Sequence, residues 1–218
     1  MFRSKTLFVL GAGAGDDFHF PTGASLMQDI KRKLTLDRST AQLADSDIHG
    51  ALLHHVNRTT RDSPHQYSLQ DYLEASEQIS FGMPLSASID TYMDDQRNDP
   101  TIQLSGRLAI VKSILAAEHN SKHHFFTDIR QGQIFRVDFE KLAPTWFAPF
   151  FKILRYPKER VDEIFDNVSI INFNYDRALE YFLVEALRTY YNLSEQVAER
   201  VLLNFAHLAP IWNGRTVA

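Results

Sequence analysis

The chain has 218 residues, of which 44% are hydrophobic and 23% are charged, as is ordinary for a soluble globular protein. A net charge of −4 gives no electrostatic basis for nucleic acid or an anionic membrane as the main partner. The absence of cysteine excludes disulfides, thiolate catalysis and cysteine-ligated zinc. Because no apolar run reaches the roughly 20 residues that span a bilayer and no signal-peptide pattern opens the chain, we expect a cytoplasmic protein without a membrane partner.

The first predicted strand, residues 7–10, runs directly into a glycine-rich turn, and a helix is predicted over residues 24–33. The turn contains Gly11, Gly13 and Gly15. A buried strand that turns tightly into a helix is typical of sites where backbone N–H groups approach a phosphate. The same pattern also occurs as a simple tight turn in an α/β fold, so both interpretations stay open here.

The glycine spacing departs from the fingerprint of hydride-transferring dehydrogenases. Gly15 comes too early for the third glycine of that fingerprint, and Asp16 and Asp17 follow it directly. The lysine and hydroxyl residue that end a P-loop are also missing from this stretch. The sequence therefore disfavours both of these nucleotide-binding classes.

The middle of the chain, from about residue 35 to 165, has a mainly helical pattern. Helices are predicted at 48–56, from 68 onward, at 86–95, at 104–118 and at 158–165, with an aromatic segment at 146–154. We predict one α/β domain over residues 1–218, with a Rossmann-like parallel sheet. The helical stretch forms a large insertion between the two nucleotide-fold strands.

The second predicted strand, residues 169–173, ends in Asn174, Tyr175 and Asp176, and a helix follows over 177–191 with Tyr190 on its inward face. Ligands of open α/β sheets bind at the carboxyl ends of strands. In one interpretation Asp176 only caps the helix and Asn174 only satisfies buried backbone groups. In the other, the Asn174 amide holds a water near a sugar carbon and the Asp176 carboxylate accepts a hydrogen bond from a ligand amide.

The nine histidines predict no metal site. The clustered ones, at positions 54, 55, 119, 123 and 124, lack an accompanying carboxylate at fixed spacing or an HExxH pattern. His207 differs from these, since it ends an apolar stretch downstream of the second strand. It is interpreted either as a cleft residue or as a packed or surface histidine.

Three stretches resemble the bacterial SIR2-like proteins, sirtuin-related NAD-binding domains used in antiphage defence. They are FVLGAGAG…FPTG, SIDTYM and IINFNYDRALE. The resemblance implies an NAD+ glycohydrolase that releases nicotinamide and ADP-ribose, with NAD as substrate and no metal. It implies cofactor binding by Gly11, Ala12, Gly13, Ala14, Pro21 and Thr22, water positioning by Asn174, carboxamide binding by Asp176, and a general base in His207.

The resemblance also indicates which subtype of the family and which partners to expect. Sirtuin deacylases carry a four-cysteine zinc module, which a chain without cysteine cannot build. The family's later Gly-Thr-Ser and Asn motifs do not occur before Ala218, so we expect an incomplete sheet. Expected partners are NAD or ADP-ribose, and a second copy or a defence-system protein. A non-catalytic NAD or ADP-ribose sensor or scaffold, and a purely structural protein, are the alternatives.

Overall fold

The computed structural model describes residues 2–59, 67–125, 137–174 and 176–203. These residues are mostly helical, with one small parallel sheet and one short antiparallel hairpin, which agrees with an α/β fold at this coarse level. The strands are β1 (Thr6–Leu10), β2 (Leu36–Asp37), β3 (Gln42–Leu43) and β4 (Val168–Asn172). The helices are α1 (Gly23–Lys33), α2 (Ser46–Thr59), α3 (Leu69–Gly82), α4 (Ile89–Asp95), α5 (Pro100–Phe125), α6 (Phe139–Leu142), α7 (Phe147–Leu154), α8 (Ala178–Tyr191) and α9 (Glu195–Leu203).

The chain divides into two compact units. The first comprises the residues up to Phe20 together with those from Glu118 onward, and the second comprises Pro21–Ala117. The first unit contains both strands of the parallel sheet, and the second contains helices α1 to α4 and the hairpin. The assignment of residues 1–218 to a single SIR2-like domain with an insertion at about 35–165 stays a prediction.

The parallel sheet of the first unit pairs β1 with β4, from Thr6 opposite Val168 to Leu10 opposite Asn172. The backbone N–H of Phe173 donates to the Leu10 carbonyl at 3.0 Å and extends this pairing by one bond. Because the strands are parallel and in this register, their carboxyl ends lie side by side. The sheet therefore brings the glycine-rich turn and the Asn174 segment to one edge.

Aromatic side chains hold helices α7 and α8 in the first unit. Phe150 of α7 packs edge-on against Phe8 of β1, with ring centroids 5.1 Å apart. The ring centroids of Phe147 of α7 and Phe182 of α8 are 4.8 Å apart. The strand, α7 and α8 thus share one aromatic core.

The inward face predicted for α8 is wrong at one position. Tyr190 is 55% exposed, whereas its neighbour Tyr191 is 3% exposed. The Tyr191 hydroxyl accepts from the backbone N–H of Tyr156 at 2.9 Å and donates to the Tyr156 carbonyl at 2.7 Å. A buried backbone segment that needs both a donor and an acceptor therefore decides which tyrosine turns inward.

The second unit is a helical cluster around fully buried side chains. Helices α1 to α5 each contribute at least one of them, namely Ile30, Leu52, Ile79, Ile89 and Ile102. Ser68 begins α3 with a capping box, in which its hydroxyl and the Asp71 carboxylate bond each other's backbone N–H groups. The β2–β3 hairpin was not predicted, since strands of two residues carry no readable periodicity.

Candidate functional site

The glycine-rich turn is a 3-10 helix rather than an open loop. Gly11 is its extended N-terminal cap, and the helix covers Ala12–Phe18. The backbone N–H of Ala14 donates to the Gly11 carbonyl at 2.8 Å. The chain leaves through His19, whose φ of 63° is left-handed. We call residues 11–20 the glycine loop.

Gly11 and Gly13 occupy open positions at the exposed start of the glycine loop. A Cβ on either residue would meet no described atom within 4 Å, and neither has a left-handed φ. The fold itself therefore does not require glycine at these two positions. A surface without side chains does allow a ligand to approach the backbone N–H groups closely.

Gly15 is buried and brings the two strand-end motifs together. A Cβ on Gly15 would lie 3.0 Å from the Phe20 Cβ and 3.3 Å from the Asp176 Oδ2. The glycine that was too early for a dehydrogenase fingerprint is thus the contact point between the glycine loop and the end of β4. Sequence reasoning missed this role because it depends on a partner more than 150 residues away.

Asn172, rather than Asn174, uses its side chain to satisfy a backbone N–H at the end of β4. The buried Asn172 side chain accepts a hydrogen bond from the Asn174 backbone N–H at 3.1 Å. Among the described residues, the buried Oδ1 of Asn174 has no hydrogen-bond partner. The Asn174 amide oxygen therefore has no hydrogen-bond role among the described residues, and Asn172 stabilises the strand end.

Asp176 is buried, at 8% exposure, and its Oδ1 accepts from the Ala178 backbone N–H at 3.0 Å. This bond supports the helix-start interpretation, although the residue that precedes α8 directly is Arg177, which makes no side-chain cap. Burial raises the pKa of the Asp176 carboxyl, and the bond from Ala178 opposes that shift. One carboxylate oxygen thus serves the helix, while the other faces Gly15.

Glu180 is a half-buried carboxyl close to Asp176 that sequence reasoning missed. Its pKa is raised, first by burial, while the charge of Arg177 opposes the shift and that of Asp176 adds to it. Its Oε2 is buried and finds no hydrogen-bond partner among residues with described positions. Its place in the first turn of the helix that follows Asp176 was the available signal.

A cavity of about 600 Å³ adjoins this part of the first unit. Its walls include Phe18 and Phe20 of the glycine loop and Arg177, Ala178 and Glu180 at the start of α8. Gly11, Gly13 and Asn174 are not among its described lining residues. The cavity therefore meets the candidate site on the side of Glu180 rather than at the exposed glycines.

The remaining predicted site residues fall into three groups. Ala12 is exposed at the start of the 3-10 helix, and the Ala14 carbonyl accepts from the indole N–H of Trp146 at 2.8 Å. Pro21 and Thr22 begin the second unit, where the Thr22 hydroxyl accepts from the Ser25 backbone N–H at 3.5 Å and caps α1. His207 lies outside the described residues, as does Tyr175.

Within the described ranges, no three histidine, aspartate or glutamate side chains are arranged to hold a metal ion. No helix in those ranges has the length and apolar character needed to cross a bilayer.

Comparisons with known proteins identify no relative: no protein-family model, no curated protein and no solved structure matches the chain.

Proposed function

We propose that this chain is an NAD+ glycohydrolase of the SIR2-like type, which cleaves the nicotinamide–ribose bond in bacterial antiphage defence. The contact between Gly15 and Asp176 carries the proposal, because it joins the two motifs that the resemblance assigns to one NAD site. The open surface at Gly11 and Gly13 supports a backbone approach to the diphosphate. We infer that β1 and β4 belong to a Rossmann-like sheet in a cytoplasmic protein.

The proposed reaction needs water but no protein nucleophile. Residues Gly11 to Ala14 would line the diphosphate, and the Asp176 carboxylate would accept from the nicotinamide carboxamide. The Asn174 amide oxygen would orient a water beside the ribose C1′ carbon. The water oxygen forms a bond to C1′ as the C1′–N bond breaks, nicotinamide leaves as a neutral molecule, and the water proton passes to His207.

The Oδ1 of Asn174, which has no hydrogen-bond partner among the described residues, supports these assigned roles. A buried amide oxygen without a partner costs stability on the order of 1–3 kcal/mol, so a site that retains one favours a use in ligand or water binding. Asn172 already satisfies the adjacent backbone N–H. Orientation of a water and electrostatic stabilisation of an oxocarbenium-like ribose would then supply the catalysis.

The test is release of nicotinamide from NAD+, and of etheno-ADP-ribose from etheno-NAD+, by the purified 218-residue chain. We expect Asn174→Ala to lower turnover by about 100-fold without lowering the melting temperature, because it removes a buried amide oxygen that has no partner among the described residues. Asn98→Ala, an exposed position in the second unit, is the matched control and should keep full turnover. Absence of turnover in the folded parent chain contradicts the proposal, as does equal turnover in the Asn174 variant.

A non-catalytic NAD or ADP-ribose sensor is the second candidate. The surroundings of Asp176 favour this candidate, because its carboxylate is buried and already accepts a hydrogen bond from the Ala178 backbone N–H at the start of α8. A sensor predicts that ADP-ribose raises the melting temperature of the chain while no nicotinamide is released. The same two measurements therefore separate the enzyme, the sensor and a protein that binds no dinucleotide.

A further inference from the structure

We propose that Trp146 is a positioning residue for the glycine loop, which it fixes through a hydrogen bond to the Ala14 carbonyl. The consequence for ligand binding rests on the proposed NAD site. The structural part, that Trp146 determines the conformation of the loop, stands on contacts within the first unit.

Trp146 makes two hydrogen bonds to the 3-10 helix of the glycine loop. Its indole N–H donates to the Ala14 carbonyl at 2.8 Å, and its backbone N–H donates to Oδ2 of Asp17 at 3.3 Å. The two acceptors lie three residues apart, on successive turns of that helix. Two bonds at separate points restrain both the position and the rotation of a short helix.

Trp146 is itself held by the aromatic core. Its ring lies 4.6 Å from Phe147 and 5.5 Å from Phe150, between centroids. Phe147 stacks on Phe18 at the end of the 3-10 helix, with a centroid distance of 3.9 Å, and Phe150 contacts Phe8 of β1. Helix α7 is thus anchored to the strand before the glycine loop and to the end of the loop itself.

The bond from Trp146 uses a carbonyl of the loop, whereas a diphosphate is bound by N–H groups. The two interactions therefore do not compete. A loop that is already ordered binds its ligand without an additional ordering cost. Loss of the indole bond should raise the KM for NAD more than it lowers kcat, because it changes ligand positioning and leaves the reacting groups in place.

Trp146→Phe is the sharpest variant, because it keeps an aromatic ring and removes only the indole portion that carries the N–H. We expect hydrogen exchange of the amides in residues 11–18 to rise about 3- to 10-fold, the equivalent of one hydrogen bond. The KM for NAD should rise by a similar factor, with kcat within about twofold. Tyr191→Phe is the control, since it removes buried hydrogen bonds of the same unit away from the loop.

The result that overturns the proposal is unchanged exchange in residues 11–18 of the Trp146 variant. A uniform rise across the whole first unit, as an overall loss of stability would give, overturns it equally. If the parent chain neither binds nor cleaves NAD, the proposed function fails, and the exchange measurement alone then decides whether Trp146 fixes the loop. A selective rise in the loop with an unchanged KM leaves Trp146 fixing the loop but overturns its part in ligand binding.

Discussion

Oδ2 of Asp176 lies 3.3 Å from the position that a Cβ would occupy on Gly15. These residues come from the two strand ends of the parallel sheet, and they belong to motifs separated by the whole second unit. A side chain at residue 15 would crowd both Asp176 and Phe20. It links the shape of the glycine loop to the start of α8.

Gly15→Ala should therefore destabilise the protein by about 1–3 kcal/mol, as overpacking of a filled core does. The added methyl would press on the Phe20 Cβ, which is fixed close to the backbone, and on the Asp176 carboxylate. Urea unfolding followed by circular dichroism measures the change. Gly13→Ala is the control with the same chemistry in open space, and equal stability of the two variants would refute the packing argument.

Gly13→Ala should separate folding from ligand binding. Its Cβ meets no described atom, so the free energy of unfolding should stay within about 0.5 kcal/mol of the parent. In the proposed NAD site the same methyl obstructs the diphosphate, so calorimetric titration with ADP-ribose should show an affinity at least tenfold lower. An unchanged affinity would mean that no ligand approaches the loop at this position.

Glu180→Gln should make the protein less sensitive to pH. Burial raises the pKa of Glu180 above its ordinary value of 4.5, so the folded state holds the proton more tightly than the unfolded chain. Stability that is present below pH 4.5 is therefore lost as the pH rises through the folded pKa. At pH 7 the glutamine variant should be more stable than the parent, and the two should converge near pH 4.

The measurement is the free energy of unfolding of each protein across pH 4 to 8, which spans the titration of a carboxyl with a raised pKa. Glu159→Gln is the control, since Glu159 is an exposed glutamate of the same unit. Its pH dependence should follow that of the parent. A parallel curve for Glu180→Gln as well would show that Glu180 titrates alike in the folded and unfolded states.

Tyr191→Phe and Tyr190→Phe should differ although the residues are neighbours. The first change leaves the backbone N–H and carbonyl of Tyr156 without their partner in a buried place, at a cost of about 1–3 kcal/mol. The second removes an exposed hydroxyl that accepts from Arg155, so a change below about 0.5 kcal/mol is expected. Thermal unfolding of the two variants side by side checks the contrast.

Local chemistry made much of the fold readable from the sequence. The apolar runs predicted β1 and β4, and the 3.6-residue periodicity predicted helices that correspond to α1 to α5 and to α8, with shifted bounds. Helix α6 was not predicted, and α7 was predicted only as an aromatic segment. Helix α5 shows the limit of that pattern. Its buried positions include Ser105, Gly106 and Ala109, while Val111 and Leu115 are more than half exposed, because close helix packing selects small residues.

The candidate site likewise combines features that the sequence predicts with features that only the tertiary structure decides. The sequence by itself determined that Gly11, Gly13, Asn174 and Asp176 follow apolar strands, since glycine and polar residues end apolar runs wherever the chain must turn. The prediction that the first strand is buried was wrong, because Leu7 and Val9 of β1 are more than half exposed. Only the tertiary structure decided that Gly15 is the glycine in contact with Asp176 and that Trp146 bonds the glycine loop. Those relationships depend on the parallel register of β1 and β4 and on the docking of α7. Both arise from contacts between residues more than a hundred positions apart, which local sequence patterns do not encode.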